Sequence, residues 1–291
     1  MDKVEIKINS NFAGKTIKEF LKENNVGRAK VENIRVNKSS YINSIYANLE
    51  SKLNKDDVLS FVIDEQIDFV CDKEPLEIVY EDDYILIVNK PINMIIHPDD
   101  KKKGNTLVNL VANYYKQNNI NRKVRYIHRI DKETSGIVLF AKDFLSEAIL
   151  LKSLQNDNIK RSYLALTEGK FKNKNGTINA NIGQDRHINN KMCVSKSGKE
   201  AISFYKVIKE VNNFSLVEFT LKTGRTHQIR VHSSYINHPL LGDVLYGGDM
   251  QYINRVALHS YKIEFIHPIF NQLIVKELKL PEDMNKIIDF R

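Results

Sequence analysis

The string HRIDKETSG, residues 128–136, sets an acid, Asp131, between two cations, Arg129 and Lys132, after a basic stretch of Lys116, Arg122, Lys123, Arg125 and His128. Thr134-Ser135-Gly136 leads straight into an apolar run. The aspartate therefore sits in a loop that feeds a core strand, the rigid mounting a catalytic group requires. Taken alone, a loop aspartate flanked by cations is more commonly a surface ion pair worth under about 1 kcal/mol. A second string, LKTGRTHQIRVHSSYINHP at 221–239, adds two arginines. Thr223-Gly224 reads as a turn, Thr226 as an N-cap, and Asn237 with Pro239 as a stop, predicting a helix over 226–236. Periodicity alone also allows a strand over 228–231. On the helix, Arg230 lies in the second turn, where its guanidinium can reach an acid on a neighbouring loop. Phosphate contact or a solvated face would equally account for Arg225 and Arg230.

Other chemistries fit poorly. His-Arg-x-Asp is the order of a protein-kinase catalytic loop, but no glycine-rich phosphate loop precedes it and no Asp-Phe-Gly follows. His128, His227 and His232 make a weak metal set, because a spacing of five separates His227 from His232 by about 140° on a helix and puts them on opposite faces of a strand. No metal is assigned. Cys71 and Cys193 are too few for a disulfide framework or a four-sulfur zinc site and read as free thiols.

The elements that must position these groups begin with a small N-terminal unit. A strand over Val4–Ile8 precedes Thr16, which can cap a helix whose Ile17, Phe20 and Leu21 share a face and which ends near Asn24–Gly27. A second helix runs from about Arg28 to Arg35, and short strands with turns fill the stretch to residue 65. Residues 66–78, with Pro75, read as a linker. Beyond it comes a buried-type strand from Tyr84 to Val88, stopped by Lys90-Pro91. Lys101-Lys102-Lys103-Gly104-Asn105 reads as a solvated insert, and Thr106 opens an amphipathic helix through Leu107, Leu110, Val111 and Tyr114. Strands over 136–141 and 162–167 flank a helix at 145–154. The runs 203–209 and 214–221 form a hairpin turning at Asn212-Asn213. Strands met in hairpins rather than in regular βαβ order predict an α+β fold with a mixed, mostly antiparallel central sheet. The division is 1–68 for the small unit and 69–291 for the larger domain.

Composition limits the class further. Over 291 residues, apolar side chains make up 42% and charged ones 27%, ordinary globular usage that excludes wholesale disorder and fibrous repeats. No run approaches the roughly 18 apolar residues of a membrane span, and the opening lacks the apolar core of a secretory signal, so a cytoplasmic location is expected. Net charge is +8, all of it in the larger part: residues 1–70 hold 11 basic and 11 acidic side chains, against 33 and 25 in the remainder. A surplus of that kind suits a polyanionic partner but is shared by many soluble proteins.

HRIDKETSGIVLFAK, RSYLAL, LKTGRTHQIRVH, HPLLGDVLYG and LHSYKIEFIHP, with EIVYEDDYILIVNKPINMIIHP ahead of them, resemble the successive motifs of the RluA/RluD-type RNA pseudouridine synthases. The likeness runs in order from about residue 76 nearly to the C-terminus. The N-terminal unit loosely resembles the S4 RNA-binding module: Ile42-Asn43-Ser44 stands for its Val-Asn-Gly step and Asp56-Asp57 for its Gly-Asp. A docking unit with no RNA contact would read the same way.

The resemblance implies a cofactor-free isomerisation of uridine in RNA, in which the N1–C1′ bond breaks, the uracil turns, and C5 bonds to C1′. Asp131 matches the catalytic aspartate, and the residues do not choose between a nucleophilic and a glycal route. Arg230 matches its basic partner, which would favour the ionised carboxylate. Extruding a stacked nucleotide costs a few kcal/mol, and Tyr163, matching the family's active-site tyrosine, would recover roughly 1–3 kcal/mol by stacking on the uracil. Arg129 matches the arginine that enters the vacated gap, with Ile130 packed beneath the loop. Further RNA contacts are expected from His128, Lys90, Arg225, His227 and Gln228. Lys90, Pro91 and His97 match a KPxGxxxHP motif in which Asn93 replaces the glycine, and asparagine is the side chain that best tolerates positive φ. Gly242, Asp243 and Gly247 read as turn residues.

The expected partner is RNA, ribosomal more than transfer RNA, bound by a monomer with no membrane or nucleotide cofactor involved. The rival from another class is a non-catalytic RNA-binding or ribosome-associated protein on the same fold. Phosphate contacts position RNA without reading it, so affinity for structured RNA should fall steeply as salt rises. Titration at several salt concentrations measures this, and a flat response would contradict it.

Overall fold

The computed structural model describes residues 2–98 and 103–289, so Lys101 and Lys102 of the basic insert lie outside the described residues. The chain opens with β1 (Lys3–Lys7), α1 (Ile17–Glu23), α2 (Arg28–Val36), β2 (Ser40–Ile42), β3 (Ile45–Tyr46) and β4 (Val58–Val62). Their strands make one sheet in the order β1-β4-β2-β3. Thr16 caps α1 through a full capping box with Glu19, and Ile17, Phe20 and Leu21 are buried on one face, as their spacing dictates.

The remainder builds a second, larger sheet. Its elements are β5 (Glu77–Glu81), β6 (Ile85–Lys90), α3 (Leu107–Gln117), β7 (Arg125–Tyr126), β8 (Ser135–Ala141), α4 (Phe144–Gln155) and β9 (Lys160–Glu168). There follow β10 (Asn175–Asn179), β11 (Ile182–Gln184), β12 (Met192–Val194), β13 (Ile202–Val211), β14 (Phe214–Leu221) and α5 (Gln228–Tyr235). After a 3-10 turn at Val244–Tyr246, β15 (Leu258–Ile266), β16 (Leu273–Glu277) and α6 (Glu282–Asp289) close the chain. The ten-stranded sheet runs β10-β13-β14-β9-β15-β8-β6-β5, with β16 beside β15 and β7 beside β8, while β11 and β12 pair apart from it. Every pairing in it is antiparallel except β15 with β8. The fold is thus α+β with a mixed, mostly antiparallel sheet. No helix among the described residues is long and apolar enough to cross a membrane.

The parallel contact of β15 with β8 is where the central sheet meets the HRIDKETSG loop. Gly136, at φ +113, lies so close to β15 that a Cβ there would stand 2.2 Å from the Ser260 carbonyl oxygen. Only glycine permits that approach. β8 is buried along its whole length, so the loop ending at Thr134 is bolted to the middle of the core.

Residues 66–78 are not a free linker. Phe69 is buried in the main core, with Ile67, Cys71, Leu76 and Ile78 packed against it, so the segment contributes apolar surface that a sequence scan for Pro and charge does not weigh. The N-terminal unit is likewise packed onto α4: Phe61 meets Phe144 edge-on at 5.7 Å, and Phe144, Leu145 and Ala148 join its apolar core. Beside them the buried Arg125 bonds Glu65 at 2.5 Å and Glu147 at 2.9 Å. Without Glu65, Arg125 keeps Glu147 but its Nη2 loses its partner in a buried site, and an unsatisfied buried donor costs about 1–3 kcal/mol. Glu65→Ala should therefore lower the urea midpoint by a stability loss of about 2 kcal/mol, and an unchanged midpoint would show that this ion pair adds nothing to stability.

Candidate active site

Asp131 stands in a cavity of about 320 Å³ walled by the 126–134 loop, β9, the end of β14, the 224–227 loop and the start of α5. That size is within the range of small-molecule pockets. The loop is fixed on both sides of the aspartate. Ile130 is buried in the main core, and the Asp131 carbonyl accepts from the Thr134 N–H at 3.1 Å. Lys90 donates to the Lys132 carbonyl at 3.2 Å and also to those of Pro91 and Met94, at 2.9 and 2.7 Å. Asn93 adopts φ 61, so the turn that usually carries glycine is made by asparagine.

Arg230 is brought to Asp131, though not as its main partner. Its Nη1 lies 3.9 Å from the Asp131 carboxylate and 3.4 Å from that of Glu133. The short contacts go to Asp243, which takes Nε at 2.7 Å and Nη2 at 2.8 Å in a bidentate pair. Asp243, read as a turn residue, is thus a fully buried acid, and the 3-10 turn beside it is what holds Arg230. The Arg230 guanidinium also lies 5.1 Å from the centre of the Tyr246 ring. The Tyr246 hydroxyl bonds His227 Nδ1 and accepts from the Met192 N–H, both at 2.9 Å.

The electrostatics of Asp131 differ from a simple salt bridge. Burial raises its pKa above the ordinary aspartate value, opposed by His227, then Arg230. Arg230 favours the ionised form, but at 3.9 Å and shared with two other acids its guanidinium only partly offsets desolvation. His227 is pushed the other way, its pKa lowered chiefly by burial.

The remaining predicted residues divide sharply. Tyr163 is buried, lines the cavity and pairs with Ser260 across β9 and β15. Arg129 and Arg225 are exposed on its rim and His227 is half-buried there. Lys90, His128 and Gln228 do not have the surface that RNA contact from outside would need. Lys90 is fully buried, its ammonium spent on three carbonyls, and burial brings its pKa down to about 7. His128 is buried and accepts the Leu139 N–H at Nε2. Gln228 is buried too. Its carbonyl accepts from the Thr223 hydroxyl and the Arg225 N–H, and its amide donates to the Ile202 carbonyl and the Ser203 hydroxyl, so it braces the loop carrying Arg225. α5 starts at Gln228 rather than Thr226, because His227 takes the N-cap position in the left-handed region at φ 55, with no side-chain cap.

Three site residues were not picked out by the sequence reading: Asp243, Tyr246 and Arg161. For Asp243 a signal existed, an acid inside the apolar run LLGDVLY. Arg161 shares a face of β9 with Tyr163 two positions on and lines the cavity.

Comparison with known proteins gives the site its family. Residues 84–235 match the family described as RNA pseudouridylate synthase, and residues 4–59 match the RluD ribosomal pseudouridine synthase N-terminal domain. The chain is 45% identical over 214 residues to YhcT, an uncharacterized RNA pseudouridine synthase of Bacillus subtilis, covering 73% of this chain and 71% of that one. It is 35% identical over 297 residues to YlyB of the same organism, another uncharacterized RNA pseudouridine synthase, covering 99% and 98%. Over 241 residues it is 35% identical to ribosomal large subunit pseudouridine synthase D of Haemophilus ducreyi, covering 78% and 74%. Among solved structures, human RNA pseudouridylate synthase domain containing 1 superposes with a TM-score of 0.59 at 25% identity, covering 74% of this chain and 87% of that one. A chain whose matched segment contains HRIDKETSG, RSYLAL and GRTHQIR, on the same fold, belongs to the RNA pseudouridine synthase family.

Proposed function

We propose that this RNA pseudouridine synthase acts on a uridine in structured large-subunit ribosomal RNA, using Asp131 as its catalytic carboxylate. The observation that carries the reading is the placing of Asp131 and Tyr163 in one cavity, with Arg230 beside the carboxylate. The substrate class follows the relatives named ribosomal large subunit pseudouridine synthase D and the match of residues 4–59 to the N-terminal domain of such enzymes.

In this reading the target nucleotide leaves its stack and enters the cavity. Its uracil lies against Tyr163 and its sugar presents C1′ or C2′ to Asp131. Arg129, exposed beside the aspartate, enters the space the base leaves, while Arg225 and His227 meet phosphates on the rim. Asp243 acts through Arg230: with both carboxylate oxygens on the guanidinium, it fixes the cation that opposes the desolvation of Asp131. Desolvation raises the pKa of this carboxyl and nearby cations lower it, so Arg230 and His227 tune the group that reacts.

Mapping pseudouridines in total RNA with and without the protein identifies the target, and the reading fails if no site in large-subunit RNA depends on it. Asp131→Asn should abolish pseudouridine formation while leaving RNA binding intact, and retention of activity would remove Asp131 from its role. The rate should also depend on pH with a definite sign. Because the aspartate pKa is raised, the ionised fraction and hence the rate fall as pH drops, at a pH above the ordinary aspartate value of about 3.9. An acid limb at or below that value would contradict the burial of the group.

A further inference from the structure

One charged group in the cavity wall has no assigned task. Arg161 is only 8% exposed, yet no carboxylate among the described residues pairs with it, and its Nε is buried with no hydrogen-bond partner. The other buried arginines, 122, 125 and 230, are each bonded to acids. A buried unpaired guanidinium is costly. His128, beside it in the wall, adds no charge: burial and the nearby Arg161 take its pKa down to about 3, which keeps the ring neutral.

Arg161 shares a face of β9 with Tyr163 two positions on, stands opposite Leu221 of β14, and lines the cavity with both. Gly224 leaves room there, since a Cβ on it would stand 3.0 Å from Arg161 Nη1. A guanidinium without an acid partner, beside the tyrosine in the cavity wall, suits a ligand that brings acceptors.

Resting on the reading of Asp131 and Tyr163 given above, we propose that the Arg161 guanidinium binds the carbonyl oxygens of the flipped uracil and stabilises the negative charge that gathers on them. When the N1–C1′ bond breaks, its electron pair stays on N1 and spreads over O2 and O4. The charge is discharged when C5 bonds to C1′, the C5 proton departs and N1 takes up a proton. Addition at C6 would load O4 through the C5–C4–O4 enolate, so a cation at the carbonyl edge serves that route as well. Preorganised donors aimed at developing charge are among the largest contributors to catalysis.

The test uses the full chain, an unmodified transcript of large-subunit ribosomal RNA, and the variants Arg161→Met and Arg161→Lys. Under single-turnover conditions at saturating RNA, Arg161→Met should be slower by roughly 10²–10³-fold, as for loss of one oxyanion donor. Arg161→Lys, keeping the charge without the planar fork, should recover part of the rate. RNA affinity and its salt slope should stay as in wild type, and the thermal midpoint should not fall, because an unpaired buried charge has been removed. Weaker binding with a salt slope reduced by about 1 at an unchanged saturating rate would make Arg161 a phosphate contact instead. A lower midpoint with a full rate would make it structural, and either result overturns the inference. Wild type inactive on this transcript would overturn the proposed substrate and the inference with it, whereas active wild type with Arg161→Met at full rate overturns the inference alone.

Discussion

A carboxylate partly withdrawn from water among cations that only partly repay the loss is the constraint around which the rest is organised. Asp131 is half-buried, its nearest arginine is 3.9 Å away, and that arginine is held by a different acid at 2.7 and 2.8 Å. A tight bidentate pair between Asp131 and Arg230 would hold the carboxyl ionised but occupy the oxygens a substrate needs. Giving the bidentate role to Asp243 leaves Asp131 accessible and still within the field of the guanidinium. The scaffold serves this arrangement: Gly136 lets β8 meet β15, Lys90 pins the loop carbonyl, and Tyr246 supports Arg230 from the ring side.

The N-terminal unit is joined to this scaffold by buried contacts. Phe61 against Phe144, and Arg125 between Glu65 and Glu147, make α4 common ground between the two sheets. The segment at 66–78 adds Phe69 to the main core, so the two parts present one continuous body to a partner. Position of the N-terminal unit is then fixed relative to the cavity, a useful property for an enzyme that must choose one uridine within a folded RNA.

Local chemistry made much of this visible in the residues. Thr16 announces α1, Thr106 opens α3, Asn93 accepts the positive φ of a missing glycine, and HRIDKETSG runs from a loop into an apolar strand. What stayed hidden depends on contacts distant in sequence. Thr226 has the right type for a cap, but the tertiary bond of His227 to Tyr246 puts His227 in that place. Lys90, His128 and Gln228 look like RNA contacts by type, and only the packed fold shows their polar atoms turned to the backbone or left within the wall. Asp243 looks like turn punctuation because its partner is 13 positions away in sequence and buried with it.

The most direct measurement of the central claim is the titration of the Asp131 carboxyl itself, by ¹³C NMR on aspartate-labelled protein assigned with Asp131→Asn. The account predicts a midpoint above that of an ordinary aspartate, displaced further upward in Arg230→Gln. A carboxyl that titrates at or below the ordinary value, or that is indifferent to loss of the guanidinium, would contradict it.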